Sequence, residues 1–344
     1  MDRAPRENRT PRRMFSSTAR RHPRPTSLHG WTVSMVAMIV LVVIAAAPAF
    51  GAGTKTSRVN VASSGEQADW YSYDPHISAD GRYVVFYSAA SNLVPGDTNE
   101  ELDVFVNDRV SGETTRVSVA SDGTQATGRS DYSTISADGR YVAFYSQAAN
   151  LVPDDTNGAT DAFVHDRVSG KTTRVSVSTR GAEGPSGSYS TTISADGRYV
   201  AFESGDPNLV PRDTNGVFDV FLRDLKSGTT SRVSLTNLGA QAQRDSYLPS
   251  ISADGRYVAF HSDASDMVRG DTNNVGDMFV RDRVTGKTLR VSVATDGTEA
   301  NNYNINMPSI SADGRYVAFY SEATNLVPGD TNGVSDVFVR GPLR

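Results

Sequence analysis

The sequence predicts an all-β protein, a five-bladed β-propeller of four-stranded antiparallel blades closed by an N-terminal strand that completes the last blade. Three observations predict it. First, the phrase Ser-Ala-Asp-Gly-Arg-Tyr-Val-Ala-Phe stands at residues 136–144, returns at Ser194, Ser252 and Ser311, and appears with Val85 for Ala in a copy beginning at Ser78. Second, the Ile before each copy (Ile77, Ile135, Ile193, Ile251, Ile310) sets a period of 58, 58, 58 and 59 residues, the mark of a repeat architecture. Third, the last copy lacks its final strand, and a matching segment stands at the N-terminal end of the repeats.

Each period holds four strand-like runs. In the second copy these are strand A at 132–136, strand B at 141–146, strand C at 161–165 and strand D at 172–177. Ala137-Asp138-Gly139 between A and B, and Val168-Ser169-Gly170 between C and D, are short Gly-bearing hairpin turns, so the unit is an antiparallel meander. Strand B is apolar on both faces, with Tyr141, Ala143 and Tyr145 on one and Val142 and Phe144 on the other, as a sheet packed between two neighbours requires. Strand D alternates, with Val175 and Val177 against Arg174 and Ser176, as a half-solvated outer strand does. Inner strands buried on both sides and outer strands wet on one side describe a blade in a ring.

The repeats begin near residues 72, 130, 188, 246 and 305. The fifth ends after Asp336-Val337-Phe338-Val339-Arg340, without a strand D. Residues 56–62, Thr-Ser-Arg-Val-Asn-Val-Ala, match residues 114–120, Thr-Thr-Arg-Val-Ser-Val-Ala, the strand D of the first copy. The expectation is that residues 56–62 complete the fifth blade and latch the ring, because an unpaired edge on strand C would otherwise be exposed.

The phrase Ser-x-Asp-Gly-Arg-Tyr-Val-Ala-Phe followed by Asp-Val-Phe-Val-x-Asp resembles the WD-like propeller repeat of TolB-like proteins. In that family the pattern is Ser-Pro-Asp-Gly, a basic residue, an aliphatic-Ala-Phe strand, then Asp-Ile-Tyr. Ala79, Ala137, Ala195, Ala253 and Ala312 replace the Pro here. The resemblance covers residues 54–340 and implies the fold. Neither a sixth blade nor an α/β domain is visible, so the family's role in an outer-membrane complex is not carried over.

Ahead of the repeats, residues 31–50 form a nearly unbroken apolar run, preceded by an Arg-rich stretch and closed by Ala47-Pro48-Ala49. Residues 1–49 therefore read as an export signal cleaved after Ala49, with an uncleaved membrane anchor as the alternative. Arg12-Arg13 is a weak twin-arginine match. Removing the leader's eight Arg and two acids from 34 basic and 39 acidic residues leaves 26 and 37, a balance of −11 across residues 50–344. That balance argues against nucleic acid or an anionic membrane surface as partner, since both need a clustered basic face. With no cysteine there is no disulfide framework, and the exported part must hold itself by its core. The location this implies is secreted, periplasmic or on the cell surface, with membrane contact only through an uncleaved leader.

In a meander of this kind the tight A–B and C–D turns share one face, and the long B–C and D–A connections share the other. Long loops on a rigid scaffold are where binding resides, so a protein or polysaccharide ligand is expected there. Each B–C loop carries oxygen side chains at Asp97, Asn99 and Asp103; Asp155, Asn157 and Asp161; Asp213, Asn215 and Asp219; Asp271, Asn273 and Asp277; and Asp330, Asn332 and Asp336, with Glu101 added in the first. Asp-x-Asn spacing is how calcium loops begin, but three side chains fall short of the roughly six to eight oxygens the ion takes. The competing reading is a turn, since Asn-Gly favours positive φ and Asp and Asn side chains bond nearby amides. No other cofactor is indicated. On the D–A loops, Trp70, Tyr71, Arg129, Arg244 and Tyr303 are candidate ligand contacts, in a setting suited to sugar or peptide recognition.

No catalytic residues are assigned. His76, His165 and His261 occupy unrelated repeat positions, and no Ser-His-Asp order or zinc spacing emerges. A glycosidase would need facing carboxylates on inner strands, for which Asp74, Asp131 and Glu203 are the candidates. The resulting expectation is an exported, non-catalytic binding or scaffolding module. A multivalent, lectin-like sugar binder is the alternative, and a glycoside hydrolase stands third.

Overall fold

The structure, a computed structural model, describes residues 55–343. The expected leader at residues 1–49 lies outside the described residues. The described residues form an all-β fold of five sheets, each an antiparallel meander. Blade 1 is β1 (Ser72–Ile77), β2 (Tyr83–Ser88), β3 (Asp103–Asp108) and β4 (Thr114–Arg116), and blade 2 is β5 (Ser130–Ile135), β6 (Tyr141–Ser146), β7 (Asp161–Asp166) and β8 (Lys171–Arg174). Blade 3 is β9 (Ser188–Ile193), β10 (Tyr199–Ser204), β11 (Asp219–Asp224) and β12 (Thr229–Arg232), and blade 4 is β13 (Ser246–Ile251), β14 (Tyr257–Ser262), β15 (Asp277–Asp282) and β16 (Lys287–Arg290). Blade 5 has only β17 (Asn304–Ile310), β18 (Val317–Ser321) and β19 (Asp336–Arg340). The fold is a five-bladed β-propeller.

The middle strands carry the core, as their two-faced apolar pattern requires. Val142, Ala143 and Phe144 are fully buried, and so are Phe163, Phe202, Phe221, Phe260 and Phe279 on the equivalent strands. The short turns are built alike in every blade. In the A–B turn the Ser136 hydroxyl donates to Asp138 at 2.6 Å, and Asp138 accepts the Arg140 amide at 3.0 Å, which folds the chain over Gly139 at positive φ. Arg140 then forks onto Asp166 at the C–D turn with bonds of 2.8 and 2.7 Å, fastening the two turns of the blade together.

Neighbouring blades meet through a fixed set of contacts. The Ala79 amide donates to the Ala137 carbonyl, Ala137 to Ala195, Ala195 to Ala253 and Ala253 to Ala312, all at 2.9–3.0 Å. At the same seams Tyr83, Tyr141, Tyr199 and Tyr257 lie against Gly139, Gly197, Gly255 and Gly314 of the following blade, so closely that a Cβ there would overlap the ring. An apolar cluster fills each of these four seams; between blades 1 and 2 it joins Val85, Val104, Val106 and Val117 to Val142, Phe144, Leu151 and Phe163.

Strand D is shorter than its sequence pattern. It pairs with its own strand C for three or four residues and then crosses to the next blade, where the Thr172 hydroxyl donates to the Val119 carbonyl. This divided role explains where the structure departs from the expected latch. Residues 60–62 perform the second half of the role on blade 1: Thr114 Oγ1 donates to the Val61 carbonyl at 2.5 Å, and Val61 bridges to Gln67. Residues 56–58 do not perform the first half, because they form no strand and the fifth sheet has three strands rather than four.

The seam between blades 5 and 1 is correspondingly unsealed. Val337 and Val339 are 78% and 68% exposed, whereas their counterparts Val104 and Val106 are fully buried. The cluster on the leading face of blade 1, Phe86, Ala90, Leu93 and Phe105, includes no residue of blade 5.

Candidate functional site

The inner strands build the centre. Each of the five bulges once, at Asp74, Tyr132, Ser190, Leu248 and Met307, and each of these non-glycine residues has φ between 46° and 79°. Bulges re-aim side chains and are concentrated at functional edges. The backbone device is the same in every blade while the side chain differs. Together the bulges line a central cavity of about 290 Å³ that also takes in His76, Thr134 and Ser250.

Above the cavity, on the long-loop side, aromatic rings run in an unbroken arc. Trp70, Tyr71, Tyr73, Tyr87, Tyr132, Tyr145, Tyr189, Phe218, Tyr247 and His261 follow one another with centroids 5.4–6.2 Å apart, crossing from blade 1 to blade 4. The arc arises from register: Tyr73 sits opposite Tyr87, and Tyr247 opposite His261, at the loop end of strands A and B. Its blade 1 end is open to solvent, with Trp70, Tyr71 and Tyr73 62%, 65% and 50% exposed. Toward the interior, burial raises the Tyr87 hydroxyl to about 12 and pushes that of Tyr145 further up, so both rings are neutral at physiological pH.

The residues singled out in the sequence are distributed unevenly around this arc. Trp70 and Tyr71 form its exposed end. Arg129 is ion-paired with Asp131 and belongs to the wall, Arg244 is exposed, and Tyr303, also exposed, supports its loop through its carbonyl, which accepts from Ser321 Oγ at 3.1 Å. Tyr87 and Tyr145 were missed because a Tyr among Val, Ala and Phe in strand B reads as core, and Tyr73 and Tyr189 because each stands alone among polar residues of strand A. The available signal was a ring one residue before the end of strand B in four of the five copies, at Tyr87, Tyr145, His261 and Tyr320, with Glu203 in the third.

The three acids considered for glycoside hydrolysis have different surroundings. Asp74 lines the cavity, with an oxygen 3.7 Å from His76 Nε2. Asp131 is fully buried against Arg129, and its carboxyl is raised by burial against the lowering effect of that Arg, with the Asp74 charge also raising it. Glu203 is also raised by burial, and it accepts the Leu248 amide at 2.6 Å, tying blade 3 to the bulge of blade 4.

The B–C loop oxygens surround a guanidinium. In blade 2, Arg174 Nη1 stands 3.3 Å from both Asp155 and Asp161 and pairs with Glu183, three acids whose oxygens would otherwise converge as a metal site does. In blade 4 Arg290 takes the same place among Asp271, Asp277 and Glu299 at 3.2, 3.2 and 2.6 Å. Arg116 stands between Asp97 and Asp103, and Arg232 between Asp213 and Asp219. The Asn residues donate instead of offering oxygen inward: Nδ2 of Asn99, Asn157, Asn215 and Asn273 reaches Asp103, Asp161, Asp219 and Asp277 at 3.0–3.1 Å. Glu101 is exposed, and its amide is capped by Asn99 Oδ1 at 3.1 Å. In these four blades an Arg guanidinium therefore lies among the acids that the sequence offered as calcium ligands. In blade 5, Asn332 still donates to Asp336 at 2.9 Å, but no ion pair reaches Asp330 or Asp336 among the described residues.

Repeat phrase and blade geometry together are those of a five-bladed β-propeller. No protein-family model and no curated protein matches the chain. Solved structures of similar fold include TolB from Acinetobacter baumannii, at 16% identity and TM-score 0.43 over 75% of this chain and 53% of that one, so this chain spans about half its length. They also include putative TolB from Agrobacterium tumefaciens, at 18% and 0.48 over 80% and 83%, and oligogalacturonate lyase from Vibrio parahaemolyticus, at 13% and 0.47 over 79% and 66%. At such identities the likeness concerns the fold, which the strands establish by themselves.

Proposed function

We propose that the protein is an exported, non-catalytic binding module of the cell envelope or exterior that receives its ligand on the long-loop face. The observation carrying this reading is the aromatic arc with its exposed end at Trp70, Tyr71 and Tyr73, a contiguous run of rings on the side where the long loops gather. The non-catalytic part is supported by the employment of the acids: Asp131 is neutralised by Arg129, Glu203 holds a backbone amide, and the loop acids of four blades surround Arg side chains. Export is supported by the Arg-rich and apolar leader of the sequence.

A lectin-like second reading is favoured by the same rings. Flat, exposed aromatic faces beside polar groups such as Asp69, which binds Ser91 at 2.9 and 2.8 Å, suit the apolar face and hydroxyls of a sugar. Trp70 is the one Trp in residues 50–344 and reports on the site directly. Titrating a panel of polysaccharides and peptides should change its fluorescence, and Trp70→Phe should abolish the response while Tyr303→Phe keeps it. A panel in which no ligand moves the signal, or in which Trp70→Phe binds as tightly as the parent by calorimetry, would remove the arc as the binding surface.

A further inference from the structure

Four grooves in this molecule are filled and a fifth of the same design is empty. In blades 1–4 the outer strand lies along strand C with its Arg opposite a Phe, as in Phe105 with Arg116 and Phe163 with Arg174. The Arg enters the acidic pair of the B–C loop, and the Val after it joins the seam cluster. On blade 5 the corresponding groove, of about 520 Å³, is lined by Asp330, Asn332, Asp336, Val337, Phe338 and Val339. Among the described residues its acids meet no cation and Asp330 Oδ1 is buried without a hydrogen-bond partner, and both Val side chains face solvent. The groove therefore specifies its occupant: an extended segment with a β-branched residue directly after an Arg.

We propose that blade 5 is a self-docking surface that receives residues 56–59 of a second copy of this chain as its fourth strand. Those residues read Thr-Ser-Arg-Val, matching the Thr-x-Arg-Val of the four strands that fill the other grooves, and Thr56, Ser57 and Arg58 are exposed, with Arg58 donating to Gln67. Arg232 and Gln241 make the same Arg–Gln pair in a filled groove, so Arg58 already has the geometry of an inserted side chain. A second copy fits better than the chain's own N-terminal segment. Residues 60–62 are fastened to blade 1 of their own chain, and four seams, each locked by an Ala–Ala hydrogen bond and a Tyr on a Gly, fix the angle between blades. In the structure the chain's own segment does not pair with blade 5: residues 56–58 form no strand, the fifth sheet has three strands, and Val337 and Val339 stay exposed. The contact joins two different surfaces and is head-to-tail, with main-chain pairing and a buried Arg–Asp cluster supplying specificity. It makes no use of the aromatic arc, so the two proposals stand or fall separately.

The register of blade 1, with Val106 opposite Thr115, places Ser57 opposite Val339. Cα atoms so placed lie within disulfide range, and the chain has no cysteine of its own. Mixing full-length Ser57→Cys with Val339→Cys under mild oxidation should give a cross-linked heterodimer. No heterodimer in the mixture overturns the proposal, most directly if the double variant cross-links within one chain, which would mean that the ring shuts on itself. In sedimentation velocity the parent should gain mass with concentration while Val337→Glu stays at one copy; a parent that is monomeric throughout overturns it equally. Val337 is exposed, so this substitution leaves the core untouched, and an unchanged melting temperature verifies that.

Discussion

Arg174 is a nearly buried cation whose removal would leave Asp155, Asp161 and Glu183 facing one another. Breaking a buried ion pair on one side costs about 3–5 kcal/mol, because the remaining charge is left uncompensated. Arg174→Ala should fall in that range by denaturant melt. Burial, together with Asp161, already raises Asp155 to about 6 in the intact protein. A carboxyl raised on folding binds its proton more tightly in the native state, so its protonation favours folding below that value and the benefit fades as pH rises through about 6. Losing the Arg strengthens this effect, so Arg174→Ala should recover stability between pH 7 and pH 5 by more than the parent does. Calcium should also restore part of its melting temperature while leaving the parent's unchanged. A variant as stable as the parent, or a parent that chelator destabilises, would show that the guanidinium is not the cation these loops hold. The sequence displayed the oxygens but not the Arg, because Arg174 lies well down the chain from Asp155 and only the C–D hairpin brings them together. The Ala in Ser-Ala-Asp-Gly has a similar hidden role. Its amide carries the hydrogen bond across each formed seam, a bond that the Pro of the TolB-like pattern has no N–H to make.

Blade and seam were legible to different degrees. Hairpin turns, two-faced strand B and the 58-residue period are local patterns, and the structure places β6 and β7 within a residue or two of their expected ends. The bulges on the inner strands left no local trace, because Asp74, Tyr132, Ser190, Leu248 and Met307 have nothing in common except their place in the repeat. The seams offer a direct measurement. Gly81 and Gly139 have φ of 73° and 72°, so replacing either with Ala carries the same backbone strain, about 1–2 kcal/mol. Only at Gly139 does the new methyl meet a tyrosine ring; at Gly81 its nearest neighbour is an Arg109 side-chain nitrogen at 3.6 Å. Gly139→Ala should therefore cost about 1–3 kcal/mol more than Gly81→Ala, the typical penalty for overpacking. The comparison belongs at high dilution, and equal losses there would mean that Tyr316 covers Gly81 and that the fifth seam is formed.

At the scale of the molecule, the unsealed seam makes a ring fold behave as a row. The match between residues 56–62 and 114–120 pointed to a closed circle, since sequence shows which segment could fill an edge but not whether the chain brings the two together, and the fifth sheet has three strands. Blades 2, 3 and 4 each pack against two neighbours, whereas blades 1 and 5 have one, and blade 5 also lacks an outer strand. In an array stabilised by nearest-neighbour contacts the ends open first. Amide hydrogen exchange at low protein concentration should thus be fastest in β18 and β19, slower in β2 and β3, and slowest in β6, β7, β10 and β11. Truncation before Asn304 should leave blades 1–4 cooperatively folded, because the seam it exposes, on Tyr257, Met278 and Val280, lies at an end of the row and not in its interior. A sealed circle behaves differently: its blades share one global opening, and loss of any one exposes two faces at once. Uniform exchange across the five blades, or collapse of the truncated chain, would therefore favour closure within a single molecule over the head-to-tail contact.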